Sequence, residues 1–252
     1  MGAGLADGDL SMSAIEAIMK SKLYIDRYTS LISAERKRFI EGIAGKQALE
    51  LSRSDMEEKA GAIVGEAGKS DIAIITGGDP LMATTHKILA IEAAKQGVRI
   101  KVVHAPSIVT AAIGESGLDF YRFGAVCTVP MWREHYKPVS FYMTIFGNRS
   151  KGLHSLLLLD YDQASGASMP MHDALRVLEA GEARYSKGLI SDNAKIIVMS
   201  NLCGASEQKL YGSIMALKSS KMEKGPALII LPAEITDIEK ESMEAMGVRQ
   251  LD

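Results

Sequence analysis

Residues 72–86 read IAIITGGDPLMATTH: a short apolar run, a glycine pair, Asp79-Pro80 and the approach to a helical pattern. Ile72–Thr76 is rich in β-branched residues and bounded by turn formers, which predicts a buried strand. Apolar residues at helical spacing from Thr84 to Gln96 predict the helix that follows. Strand, glycine-rich turn and helix make half of a right-handed crossover unit, and in open α/β sheets ligands gather outside the carboxyl ends of such strands. Gly77 and Gly78 let a ligand approach the backbone closely. Asp79, set in the turn by Pro80, offers a carboxylate to a ribose hydroxyl or an amino group. A carboxylate that only caps the turn fits the same composition equally well.

The same alternation extends on both sides. Helical spacing recurs over Ala14–Met19, Ser33–Gly42, Ser54–Gly68 and Ile108–Ser116, and short apolar runs at Leu23–Asp26 and Val98–Val103 predict further strands. Strands alternating with helices of this length predict a mostly parallel sheet in the first half. In the second half Val126–Val129, Leu153–Asp160, Ile196–Ser200 and Leu228–Leu231 are expected strands. Ser140–Ser150, Met171–Gly181, Ser206–Lys218 and Asp237–Met246 are expected helices. Turn formers from Gly117 to Gly124 suggest a boundary, giving α/β domains over 1–118 and 119–252. Gln163–Met169 is small and polar and reads as a loop. No repeat of fixed period is present.

The chain has 252 residues, enough for two modest domains, and its 47% hydrophobic and 24% charged content is that of a globular protein. Twenty-nine basic against 31 acidic residues leave a formal charge of -2, so no basic stripe for a nucleic acid is expected. Cys127 and Cys203 fit neither a disulfide framework nor a zinc site, which suggests a reducing compartment. The most apolar runs are far shorter than the ~20 residues of a membrane span, and the N-terminus lacks the pattern of a secretory signal. A cytoplasmic protein with no membrane contact is expected.

Most catalytic signatures are missing. Gly2-Ala-Gly-Leu-Ala-Asp7 hints at a dinucleotide fingerprint but lacks the third glycine and a preceding five-residue strand. No phosphate-loop Gly-Lys-Ser/Thr and no Gly-x-Ser-x-Gly elbow occurs. The histidines at 86, 104, 135, 154 and 172 are not spaced as metal ligands, so no metal is assigned. A small polar ligand without an evident acid, base, nucleophile or metal fits methyl transfer from S-adenosylmethionine. In that reaction the sulfonium already activates the methyl group, and the protein mainly aligns a neutral nucleophile.

Several strings taken together resemble the diphthine synthase branch of the tetrapyrrole-methylase-like class of methyltransferases. They are Asp26–Ser30 with Tyr-Thr-Ser, Gly78–His86 with Gly-Asp-Pro-Leu-Met-Ala-Thr-Thr-His, and His104–Ile108 with His-Ala-Pro-Ser-Ile. Gly117–Gly124, Pro138–Tyr142 and Asn148–Asp160, with Asn-Arg-Ser-Lys-Gly-Leu-His-Ser before a leucine run, complete the series in family order. Ala-Thr-Thr-His after Gly-Asp-Pro, combined with Gly-Leu-His before the leucines, is specific to this branch.

The resemblance implies a homodimer of two-domain α/β chains, tetrapyrrole methylase-like, that binds S-adenosylmethionine in a cleft between the domains and releases S-adenosylhomocysteine. It implies successive methylation of the amino group of 2-(3-amino-3-carboxypropyl)histidine in translation elongation factor 2, a step of diphthamide synthesis. The family's cofactor contacts fall on Leu5, Asp79, Met82, Ser107, Ile108 and Leu159, with Cys203 and Ala227 as further equivalents. Asp79 would orient the cofactor, His86, Tyr28 and Trp132 would wall the cleft, and no general base is assigned. The rival readings are a tetrapyrrole-type small-molecule methyltransferase and a cofactor-binding relative without turnover. The chain departs from the family in three places. Only Met1 precedes Gly2, so the first strand is short or its start lies upstream. Ser200–Gly204 reads Ser-Asn-Leu-Cys-Gly where relatives carry an arginine. Ala227 and Thr236 stand where relatives commonly show histidines.

Overall fold

The computed structural model describes residues 1–28, 32–162, 167–222 and 225–251. The chain divides into two compact units, Met1–Ile108 and Val109–Asp252.

In the first unit Ser11 caps α1 (Met12–Lys20) by accepting the Ala14 N–H, and β1 (Lys22–Asp26) follows directly. Ser33 caps α2 (Ala34–Ala44), and Gly45 ends it in the left-handed conformation. Then come β2 (Leu49–Leu51), α3 (Arg53–Glu57), α4 (Ala60–Glu66), β3 (Ile72–Ile75) and α5 (Lys87–Gln96). The strands form a parallel sheet in the order β2-β1-β3. Strand β1 is buried on both faces. Leu23 and Ile25 pack with Ile18 and Ile40 of α1 and α2, while Tyr24 packs with Met56, Ile63 and Leu89 of α3, α4 and α5. Period-two alternation thus places helices on both sides, as parallel sheets require.

The N-terminus extends this sheet. Thr76 N–H donates to Met1 O, Ala3 N–H to Thr76 O, and Gly4 and Gly78 exchange hydrogen bonds in both directions, while Gly2 N–H reaches Val103 O at 2.9 Å. Met1–Gly4 therefore lies between the extension of β3 and the 98–103 segment. The expected strand at Val98–Val103 is corrected to irregular chain. Its partner is too short for a ladder, and Ile100 and Val102 remain exposed. The expected helix Ser54–Gly68 breaks in two, because Lys59 leaves helical angles. The helix expected from Thr84 starts at Lys87, because Thr84 and His86 turn their side chains back onto the Pro80 carbonyl.

The second unit contains α6 (Ile108–Glu115), whose first residue belongs to the first unit, followed by β4 (Cys127–Val129), α7 (Phe141–Arg149) and β5 (Ser155–Leu159). A small antiparallel pair, β6 (Tyr161–Asp162) and β7 (Ala167–Ser168), leads to α8 (Met171–Tyr185) and β8 (Lys195–Ser200). Residues 163–166 of the expected loop lie outside the described residues. The chain ends with β9 (Gln208–Ser213), α9 (Ile214–Ser219), β10 (Ala227–Leu231), α10 (Asp237–Ala245) and β11 (Arg249–Gln250). Six strands form a mixed sheet in the order β11-β9-β8-β10-β5-β4. Tyr142 and Ile145 of α7 and Leu175 and Leu178 of α8 pack against Leu157, Val198 and Ile229.

Here the expected helix Ser206–Lys218 is corrected: its first part is β9, paired with β8 over six residues from Lys195↔Ser213 to Ser200↔Gln208. Leu210, Ile214 and Leu217 fit helical spacing, but pairing along the whole of β8 overrides it. Ser213 ends the strand and caps α9. Unit division falls between Ile108 and Val109, ahead of the 118/119 boundary read from the sequence. The Gly117–Gly124 run is bound into the second unit: a Cβ on Gly117 would lie 2.4 Å from Met243 N, and Asp119 and Arg122 both bond Glu239. Among the described residues no helix is long and apolar enough to cross a membrane.

Candidate active site

Three chain segments meet at one end of the first unit's sheet: the turn after Gly4, the Gly77–Met82 loop, and His104–Ile108. Their close approach depends on glycine. A Cβ on Gly2 would lie 2.4 Å from Gly78 O and 2.7 Å from the Ala105 Cβ. Gly78 adopts φ +68, and a Cβ there would come into ordinary contact with Pro106 O at 3.8 Å and Ser107 Cα at 3.9 Å. The Leu5 and Ala6 N–H groups both donate to Asp9 Oδ2, at 2.7 and 2.8 Å, and Gly4 at φ +74 leaves room for that carboxylate.

Asp79 uses both oxygens within this group. Oδ1 accepts the Leu81 N–H at 2.9 Å, and Oδ2 lies 2.7 Å from His104 Nδ1 and 3.4 Å from Ala105 N. Burial pushes its carboxyl up, but the Leu81 N–H, His104 and the Ala105 N–H outweigh that and hold it below the ordinary carboxylate value. The side chain therefore fastens the 77–82 loop to the 104–105 backbone. Leu5, Asp79, Met82, Ser107 and Ile108, widely spaced in sequence, belong to these three adjoining segments. Asp79 and Ser107 are buried, Leu5 and Ile108 half-buried and Met82 exposed.

The other three candidates lie in the second unit. Antiparallel pairing sets Ala227 beside Ser200 and Leu228 beside Leu158, so Ala227, Leu159 and the turn containing Cys203 share one end of β10, β5 and β8. Cys203 has φ +65, and its N–H donates to Glu207 at 2.7 Å. Glu115, Cys203 and Glu207 bring potential metal-binding atoms within 4.8 Å of one another, a cluster that the sequence spacing does not reveal. Lys209 already sets its ammonium 2.9 Å from Glu115 and 3.2 Å from Glu207. Burial pushes the Cys127 thiol up to about 12, leaving it inert as a nucleophile.

Of the expected walls, Tyr28 donates its hydroxyl to Glu57 at 2.7 Å and Trp132 its Nε1–H to Pro138 O at 3.2 Å. His86 is buried between Pro80 O and Asp26. Thr29 and Ser30 lie outside the described residues.

The Asn148–Ser155 motif proves to be internal bracing. Asn148 exchanges hydrogen bonds with Ala125 and donates to Ser155, while Arg149 reaches Pro232 O at 2.6 Å. His154 is wholly buried. Its Nδ1 accepts the Ala233 N–H at 2.9 Å, so Nε2 carries the proton and donates to Glu239 Oε1 at 3.0 Å. Burial holds the His154 ring below the usual histidine value against the pull of Glu239. Glu239 also completes the capping box of α10 with Thr236 and binds Arg122 and the Asp119 N–H. Burial would raise it, but the Thr236 and Asp119 N–H groups, then His154 and the Thr236 hydroxyl, bring it to about 2.

With this geometry in view, the comparisons with known proteins are specific. The family model for tetrapyrrole (corrin/porphyrin) methylases matches residues 1–214. The chain belongs to the tetrapyrrole methylase family. It is 33% identical over 247 residues to a diphthine synthase of Methanocaldococcus jannaschii, with 96% of each chain covered. It is 30% identical to the "Probable diphthine methyl ester synthase" of Arabidopsis thaliana, over 97% of this chain and 96% of that one. Among solved structures, one of diphthine synthase superposes with a TM-score of 0.85 at 28% identity, covering 97% of this chain and 93% of the other. A conserved hypothetical protein from Aeropyrum pernix gives 0.90 at 29%, covering 100% and 91%. Within the family, the chain is a methyltransferase of the diphthine synthase branch.

Proposed function

We propose that this methyltransferase uses S-adenosylmethionine to methylate the amino group of 2-(3-amino-3-carboxypropyl)histidine in elongation factor 2, in successive turnovers. What carries the reading is the glycine-lined backbone cradle around Gly78. Backbone from Gly4–Ala6, Gly77–Met82 and Pro106–Ile108 adjoins there, and a Cβ at position 78 would already touch the Pro106 and Ser107 backbone. That cradle suits the cofactor: backbone polar groups, the exposed Met82 side chain and half-buried Leu5 and Ile108 offer mixed polar and apolar surface. When bound, S-adenosylmethionine supplies a methyl group already activated by its sulfonium. The chain's own residues bind and orient it, with Asp79 keeping the loop in shape. An amine attacks only when deprotonated, so exclusion of water around it favours the neutral form.

The function also implies a dimeric, cytoplasmic enzyme that meets its protein substrate directly. Binding is the first test. Saturating S-adenosylhomocysteine at a hundred times its dissociation constant stabilises the fold by ~2.7 kcal/mol and raises the melting temperature. No shift with either S-adenosylmethionine or S-adenosylhomocysteine at verified saturation would contradict the reading. The Arabidopsis relative's name favours a second chemistry, a methyl ester on the carboxylate of the same side chain. An alkali-labile mass gain on the modified peptide would identify it.

A further inference from the structure

Gly2-Ala-Gly4 reads like the opening of a dinucleotide-binding turn, yet the backbone N–H groups of this turn are already in use. Dinucleotide turns hold a phosphate on free N–H groups at the start of a helix. Here α1 starts only at Met12, where the Ser11 side chain already accepts the Ala14 N–H. Immediately after Gly4, the Leu5 and Ala6 N–H groups both donate to Asp9 Oδ2, at 2.7 and 2.8 Å. One acidic oxygen held between two successive backbone N–H groups is the arrangement in which such turns bind a phosphate oxygen. Asp9 is fitted closely to this place. A Cβ on Gly4, at φ +74, would lie 2.2 Å from the Asp9 Cβ and 2.8 Å from Oδ2, so the carboxylate enters only over a glycine. Among the described residues no basic side chain pairs with Asp9, while Arg36 goes to Asp7 Oδ1 and the Ala3 carbonyl. The adjoining turn is spent in the same way: Gly4 and Gly78 bond each other, and the Leu81 N–H goes to Asp79.

We propose that Asp9 is a specificity-determining residue whose carboxylate fills the place of a nucleotide phosphate, so that the cradle between Gly4 and Gly78 accepts a nucleoside without a phosphate. A phosphate arriving at the turn would find its donors taken, and opening them would leave the half-buried Asp9 carboxylate without the two N–H groups that hold it. A sulfonium nucleoside needs no such donors. The inference accounts for a glycine-rich turn that lacks the rest of a dinucleotide fingerprint. It rests on the reading that this cradle holds S-adenosylmethionine.

Calorimetry on the intact protein, comparing ADP with S-adenosylhomocysteine, tests it. The parent should strongly favour the second. D9A frees both N–H groups, and its affinity for ADP relative to S-adenosylhomocysteine should rise about tenfold or more, the scale of a hydrogen bond to a charged group, with S-adenosylhomocysteine displacing the bound ADP. Should D9A not fold, D9S, which keeps a polar group at the turn, carries the same expectation. D9N, whose amide oxygen can still fill the place of Oδ2, should gain less than about threefold. A parent that binds both ligands equally, no gain in D9A or D9S, an equal gain in D9N, or ADP that S-adenosylhomocysteine does not displace would overturn the proposal. Failure of the parent to bind S-adenosylhomocysteine would count against the proposed function, and the ADP titrations of parent, D9A and D9N would then decide by themselves whether Asp9 fills a phosphate's place.

Discussion

Asp79 and Glu239 both spend their oxygens on their own surroundings, with different consequences. Asp79 ties one loop to a neighbouring segment, so D79A should act through loop shape as well as lost charge. S-adenosylhomocysteine affinity is expected to fall by ~1.5–3 kcal/mol in calorimetry, with the fold retained. H104A, which removes an exposed partner and leaves both backbone donors, should cost less. Unchanged affinity in D79A with a lowered melting temperature would return the residue to a purely structural role. Glu239 braces the second unit, and E239A should cost about 3 kcal/mol in urea denaturation, because His154 and Arg122 lose their acceptor. Its folded value of about 2 lies below the ordinary 4.5, so its contribution is complete above that ordinary value and is lost as pH falls through about 2. The parent should therefore lose stability across that window more steeply than E239A. Asp79 was legible in the sequence because Gly-Gly-Asp-Pro follows a strand. Glu239 was not, since a surface-patterned helix conceals the histidine and arginine that reach it from 85 and 117 residues away.

Elements built from local signals followed the sequence closely; those decided by pairing did not. Strand β3 and the Gly-Gly-Asp-Pro turn are written in consecutive residues, and α10 in its capping box. Strand β9 exists because β8 offers an edge, and Met1–Gly4 becomes part of a sheet only through Thr76, Gly78 and Val103. No local periodicity carries such information. Glycines divide in the same way. Gly97 and Gly117 both have positive φ, but a Cβ at 97 meets nothing within 4 Å and one at 117 meets Met243 backbone at 2.4 Å. G97A should cost about 1 kcal/mol from strain alone. G117A should cost about 3 kcal/mol or more, since α10 must move. Equal losses on thermal unfolding would show that Gly117 is tolerant of displacement.

At the scale of the whole molecule, each unit has its own sheet and core, and likeness to diphthine synthases runs through nearly the entire chain. The glycine-rich segments of the first unit supply the proposed cofactor cradle, and the bracing around His154 shapes the second. Of the proposed contacts only the Gly77–Asp79 turn could be read from a strand end, whereas Leu5, Met82, Ser107, Ile108, Leu159, Cys203 and Ala227 were proposed through family resemblance alone, because apolar and backbone contacts look like core. The central claim is catalytic, and one measurement addresses it: incubation of the purified protein with S-adenosylmethionine and unmethylated elongation factor 2, followed by the mass of the peptide bearing the modified histidine. The account predicts gain in methyl-sized steps on that residue, with matching release of S-adenosylhomocysteine. An unchanged peptide mass, with a protein that binds the cofactor and a factor verified to carry the aminocarboxypropyl group, would contradict it.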